Sequence, residues 1–566
     1  MKSNRRLEVL LLLSLSALIL IPRLIGLDAF VSVDEPDWLK FGANFYHAIG
    51  TGDFGSTVYD YHPAVTTMWI VTAGFLWGFR AYRVIAPEYF WKGPQFDDFL
   101  NQNGHPPLDL VWRARVVEVL VIWLLLLLVY VCLRRLVGQK NAWVAVAFAS
   151  LGPFFWGHSR LLNHEGLLSL FGILTILALL LWANPAGKTR HLIFSAVFLA
   201  LAQLTKSSAI ILFPLGGLVF LVKFLVERTQ AAEGSQKLFG RLALKFLLWL
   251  GTALLVYVLL WPGMWVKPGE MLYKVYGNAF SYGLQGGRLE VTQDLEVSRF
   301  GLQTDGIPEY LVNLLWRTTP VTWLGWIFAL SWLASRQTPL KAKLSGAALL
   351  TLAAFNILLF GIARGRDASH YILTAFVCLD LIAAFGFVFI LERLAAWKAV
   401  FARPLALAGF CAVLILAQGL GALPQYPYYY TYSNPLMLAL FPGQNPNYGY
   451  AEVLEQAAHY LATKPGAEKM TVTAWYGRSF SYYFPGKVAV FKPMYSLQQD
   501  ALDNLRGSDY FVVYYAQQKR RDIPTGFIEM MEPATPEKVI WFNGIEYVRI
   551  YKVSEIPETV IQALGQ

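Results

Sequence analysis

Charge is scarce in this chain: Asp, Glu, Lys and Arg make up 15% of 566 residues, against 56% hydrophobic. That supply is too small to clothe a soluble protein of this size, which argues against a chain free in water. Cysteine is scarcer still. Cys132, Cys378 and Cys411 all lie inside apolar runs, so neither a disulfide framework nor a thiolate metal site is indicated. The sequence has no glycine-rich dinucleotide or phosphate loop, no internal repeat and no low-complexity segment. A formal net charge of +10 is no argument for a nucleic-acid partner, because membrane proteins gather Lys and Arg in their cytoplasmic turns. What the chain has in plenty is apolar and aromatic residues, with 19 Trp among them.

Apolar runs near the ~20 residues needed to cross hydrocarbon fall at 7–26, 112–133, 141–157, 165–183, 190–205, 207–226, 244–263, 316–335, 344–363, 370–391 and 402–421. They predict a polytopic α-helical membrane protein of about eleven transmembrane helices. The first run resembles a signal peptide but is long and lacks a convincing cleavage site, so it is read as a retained helix. The run 64–79 is shorter and more polar, and is read as a helix lying at the interface.

With the N-terminus in the cytoplasm, the inner turns carry Arg134, Arg135 and Lys140; Lys188 and Arg190; Arg228, Lys237, Arg241 and Lys245; Arg336, Lys341 and Lys343; and Arg393, Lys398 and Arg403. Every inner turn is basic, as the positive-inside rule requires, and counting 64–79 as a span would invert the pattern. The expected organisation is a membrane domain over 1–423, with outer loops at 27–111 and 264–315, and an extracytoplasmic soluble α/β domain over 424–566. In that tail a helix (AEVLEQAAHYLATK) precedes short alternating strands: KMTVTAWY, KVAVF, DYFVVYY, KVIWF and IEYVRIYKV.

Four clusters of charge stand at outer ends of spans, where ionisable groups are costly and point to function. Asp34-Glu35 follows the first helix. The pair suits general-base work or metal coordination, and Asp34 equally suits capping the next helix. Asn163-His164-Glu165, with His158 and Arg160 before it, fills a short outer turn, where Glu165 also suits a helix start. Lys206, in LTKSS, must snorkel or meet an anion. RGRDASHY holds Arg364, Arg366, His370 and Tyr371, and its guanidinium groups match phosphate oxygens or pair locally with Asp367. Together they bring carboxylates and cations to one face of one membrane.

DE after the first helix, YHPAVTTMW, LTK, WPGMW and a late RxxxYIL-like segment resemble the GT-C glycosyltransferases, nearest the protein O-mannosyltransferase and lipid A aminoarabinose transferase superfamily. The resemblance covers most of residues 5–425. It implies that Asp34 is the catalytic base, Glu35 an orienting partner, Glu165 a second acidic site beside His164, and Lys206 a contact to the donor phosphate. The late segment departs from the family's pattern, with His370 in place of the Arg before Tyr371, which leaves the phosphate ligand open among Arg364, Arg366 and His370.

The expected activity is therefore an inverting transfer of a sugar from a polyprenyl-phosphate-linked donor to a hydroxyl of a protein, lipid or glycan, in the cell membrane and outside the cytoplasm. No cofactor is required on this reading. His62, Asp34 and Glu35 could gather a divalent metal, but no tight ligand spacing demands one. Asp60, Tyr61 and His62 are candidates for the acceptor or sugar cavity, and YKVYGNAFSYGLQGGR for a flap or sugar-contacting wall. The rival readings are a lipid-linked sugar flippase or transporter, whose site belongs at the midplane, and an oligosaccharide ligase.

Overall fold

Pro153 ends one helix and starts another. It cannot donate a backbone hydrogen bond, so the run expected as one helix over 141–157 is split into Gln139–Ser150 and Pro153–His158. This is one of the places where the computed structural model departs from the apolar pattern; it describes residues 5–229, 234–364, 368–444, 449–491, 499–517 and 526–564. Among the described residues, eight helices are long and apolar enough to cross a membrane: Arg5–Leu24, Pro107–Val137, Glu165–Ala183, Ser207–Glu227, Ser235–Leu260, Leu340–Ile362, Ser369–Trp397 and Pro404–Gln425. Three shorter apolar helices join them: Val65–Gly78, Thr189–Thr205 and Pro320–Ala334. The last is cut from the preceding Gly306–Arg317 helix at Thr318-Thr319, where Thr319 caps the new start by accepting from the Thr322 N–H. The protein is thus a multi-pass membrane protein.

The helices Glu165–Ala183 and Ser369–Trp397 are almost wholly enclosed by the others. Close approach at the second relies on small residues. A Cβ on Gly386 would lie 2.4 Å from the Ala329 nitrogen, and one on Gly325 would lie 2.6 Å from Ala383 Cβ. Such contacts let helices pack tightly where lipid supplies no hydrophobic drive between them.

The basic turns do gather at one end of the bundle. Arg134 pairs with Glu8, Lys140 lies 3.2 Å from Glu392, Arg135 lies 3.1 Å from His191, and Lys245 lies 3.1 Å from Thr189. Asp34, the turn 158–165, Lys206 and His370 come together around one cavity.

The C-terminal part carries a helix at Leu454–Ala462 and a five-stranded sheet. Its strands are β1 (Thr471–Trp475), β2 (Lys487–Phe491), β3 (Tyr510–Val513), β4 (Lys538–Phe542) and β5 (Ile545–Lys552). The order is β2-β1-β3-β5-β4, parallel among the first three and antiparallel onward. All five expected strands form. The sheet region is tied to the helical part by Arg478, which bonds to Asp37 (2.7 Å) and Asp97 (3.0 Å), and by Ser479, which donates to the Ser32 carbonyl (3.1 Å).

Candidate active site

The two adjacent carboxylates after the first helix part company. Glu35 turns inward and is fully buried. Its Oε1 accepts from Arg115 Nε at 2.6 Å and from the Leu162 N–H at 2.7 Å; its Oε2 accepts from the Ser32 N–H at 2.7 Å and from Arg115 Nη2. Arg115 also donates to the carbonyls of Leu27 and Phe30, so the 27–35 loop is wound around one guanidinium. A charge placed so deep is tolerable only with such pairing and full hydrogen bonding. Asp34, by contrast, is exposed and lines a polar cavity of about 200 Å³.

That cavity collects residues from seven separate stretches of chain. Asp34, Asp60, Tyr61, His62, His164, Glu165, Lys206, His370 and Tyr371, all singled out above, line it together. Glu35 and Arg364 do not. Arg364 is exposed, and its N–H donates to the Gly283 carbonyl at 2.9 Å, which holds it against the 283–301 loop and away from the cavity. Arg366 falls outside the described residues.

Lys206 closes the Thr189–Thr205 helix and is 1% exposed. Its ammonium pairs with Glu165 Oε1 and lies 4.7 Å from the Tyr371 ring centre. His164 Nε2 lies 3.4 Å from the same Glu165 oxygen. The His62 and His164 rings stand 5.0 Å apart, and Tyr61 stacks on Tyr282 at 5.7 Å. Burial pushes the His158 imidazole down to about 4, so it stays neutral beside the cavity. Burial also holds the Asp60 carboxyl above its ordinary range; the Tyr61 backbone N–H, Arg288 and His164 pull the other way.

Of the lining residues, Asp37, Trp38, Phe41, Arg288 and Tyr450 were not named individually in the sequence analysis, although Arg288 ends the YKVYGNAFSYGLQGGR stretch read there as a wall. Arg288 reaches in from the 264–315 stretch, with its guanidinium 4.3 Å from the Tyr61 ring centre and 4.0 Å from Asp60. Its signal was available: an Arg on the outer side, against the positive-inside bias. Tyr450 comes from the C-terminal part and donates its hydroxyl to Asp34 Oδ2; nothing in the local sequence marks it.

The stretch after WPGMW is helical with two π-type turns, Tyr273–Gly277 and Ser281–Gln285. It walls a second pocket of about 200 Å³, lined mainly by apolar groups such as Ile210, Phe280, Leu284, Leu302 and Phe360. Lys206 and His62 line both pockets. Among the described residues, no three His, Cys, Asp or Glu side chains are grouped as metal ligands would be; Glu35, committed to Arg115, does not join Asp34 and His62.

Residues 109–261 match the dolichyl-phosphate-mannose-protein mannosyltransferase family. The matched stretch includes Arg115, Glu165 and Lys206 and excludes Asp34. It agrees with the motif resemblance: the chain is similar to the GT-C glycosyltransferases. No curated protein matches. Among solved structures, ArnT from Cupriavidus metallidurans bound to undecaprenyl phosphate is similar over 95% of this chain and 97% of its own, at 15% identity and TM-score 0.48. The archaeal oligosaccharyltransferase AglB from Archaeoglobus fulgidus, in complex with an inhibitory peptide and a dolichol-phosphate, covers 97% of this chain and 74% of its own, at 12% identity and TM-score 0.47. The S. cerevisiae protein O-mannosyltransferase Pmt1-Pmt2 complex covers 54% of this chain and 39% of its own, at 17% identity and TM-score 0.37.

Proposed function

We propose that the chain is an inverting glycosyltransferase that moves a sugar from a polyprenyl-phosphate-linked donor to an acceptor hydroxyl, on the extracytoplasmic side of the cell membrane. One observation carries this reading. A polar cavity lined by four carboxylates and two cations adjoins an apolar pocket, and Lys206 stands where the two meet. An amphiphile with a phosphate between a sugar and an isoprenoid tail fits that sequence of surfaces: tail in the apolar pocket, phosphate at Lys206, sugar in the polar cavity.

Asp34 accepts the acceptor's hydroxyl proton as that oxygen forms a bond to the anomeric carbon. The bond from that carbon to the phosphate oxygen breaks, and its electron pair leaves on the phosphate. A single displacement inverts the anomeric centre. Positive charge gathers on the ring in such a transition state, as in glycosidases, so the cavity's carboxylates stabilise it. Lys206 and Arg288 neutralise the leaving phosphate, an electrostatic contribution of roughly 3 kcal/mol per well-placed group. Lys206 exchanges part of its pairing with Glu165 for the phosphate, while His164 Nε2 stays 3.4 Å from the Glu165 carboxylate. Glu35 holds the loop that presents Asp34. No metal takes part in this scheme.

The test is incubation of purified protein with radiolabelled polyprenyl-phosphate sugars across acceptors, wild type beside Asp34→Asn. Wild type is expected to release or transfer label with or without EDTA, and D34N to lose about 10²- to 10⁴-fold while still binding donor. Equal turnover by both proteins removes Asp34 from the base role; no turnover by wild type favours a flippase or a ligase.

A further inference from the structure

We infer that the C-terminal part completes the active site, through Tyr450 acting as a positioning residue for Asp34; the inference rests on the reading just given. Tyr450 is 416 positions from Asp34 in the sequence, yet its hydroxyl donates to Asp34 Oδ2 and its carbonyl accepts from the Val33 N–H at 3.3 Å. Side chain and backbone therefore grip the same short loop. Both residues line the polar cavity.

The segment that delivers Tyr450 is held in an unfavourable shape. Ala451 (φ 69°) and Val453 (φ 71°) are both left-handed, a conformation poorly suited to a residue with a Cβ and least of all to a β-branched one. Strain of that kind persists only where the surroundings over-determine it, and it collects at functional sites. Here Glu452 does the holding. Buried at 1% exposure, its Oε2 accepts from Tyr430 Oη at 3.0 Å and from the Tyr450 N–H, while its carbonyl accepts from Tyr514 Oη at 2.9 Å. Tyr430 in turn lies against His158, 5.4 Å between ring centres. The chain of contacts runs from β3's end through Glu452 to Tyr450 and Asp34.

A carboxylate that must take a proton from an incoming hydroxyl needs one oxygen turned to the acceptor. A donor fixed on Oδ2 sets the orientation of the carboxylate and favours the ionised form, which is the form that acts as base. Asp37, Asp60, Glu165, His62, His158, His164, His370, Lys206 and Arg288 also face this cavity, but removing the neutral Tyr450 hydroxyl removes no charge among them.

The experiment compares full-length wild type, Tyr450→Phe, Glu452→Gln and the D34N/Y450F pair in nanodiscs, with radiolabelled polyprenyl-phosphate sugar as probe. Y450F is expected to lower kcat about tenfold, to leave the donor KM within about twofold, and to move the acid limb of the kcat/KM profile up by about one pH unit. E452Q keeps the hydroxyl but slackens the turn, and shifts the same quantities less. Y450F should add no further loss on the D34N background. A folded Y450F with the wild-type limb and kcat overturns the inference while leaving the functional reading intact. Should Y450F fail to fold, an unmoved limb in E452Q overturns it. Wild type inert towards every lipid-linked sugar removes the functional reading and this role together.

Discussion

Adjacent side chains of the same type carry opposite duties at positions 34 and 35, and the partner that separates them is Arg115, 80 residues away. Two neighbouring carboxylates are visible in the sequence; which one a buried guanidinium will claim is not. The structural duty is testable on its own. Glu35→Gln leaves Arg115 buried beside its two carbonyl acceptors with no counter-charge, and breaking a buried pair this way typically costs about 3 kcal/mol. A clear drop in the thermal midpoint of E35Q is expected in detergent, with folded protein keeping its pH profile; an unchanged midpoint would remove the clamp.

Glu455 offers a second measurement on a single group. Burial pushes its carboxyl up to about 7, even though Tyr428 donates to it. Its folded pKa is above its unfolded value, so the native state keeps a proton that the unfolded chain gives up. The contribution is fully present below the unfolded carboxyl range and is lost as pH rises through about 7. Stability should therefore fall by as much as roughly 3 kcal/mol between about pH 4.5 and 7 from this group. Glu455→Gln should flatten that part of the midpoint-against-pH curve.

Elements were legible in proportion to how far local pattern decides them. The long spans and all five strands follow from hydrophobic runs and alternation, whereas the breaks at Pro153 and Pro320 came from backbone chemistry that run length ignores. The first break has a use. The Pro153–His158 helix it creates carries Gly157 against the 429–431 stretch, where a Cβ would lie 2.3 Å from the Tyr430 backbone nitrogen. Backbone cannot yield as a flexible side chain does. Gly157→Ala should push Tyr430 away from His158, lowering both the thermal midpoint and the turnover, by roughly 1–3 kcal/mol in stability. Wild-type behaviour in both would show that this stretch is looser than its contacts imply.

For the molecule as a whole, the decisive feature is the junction of the two pockets, which no single stretch of sequence encodes. Asp34, Glu165 and Lys206 were readable because charges beside spans are conspicuous. Tyr450 and the apolar pocket needed the folded chain, because their meaning comes only from what they face. Whether the apolar pocket holds a lipid tail can be asked without touching the polar cavity. Ala279 lines that pocket, and Ala279→Trp would occupy much of its 200 Å³. Each buried methylene contributes about 0.8 kcal/mol, so displacing even two from the pocket weakens donor binding about tenfold. The donor KM should rise for a long polyprenyl chain and stay nearly unchanged for a short, water-soluble analogue, with kcat preserved in both. Equal effects on the two donors would show that the tail lies in a different groove.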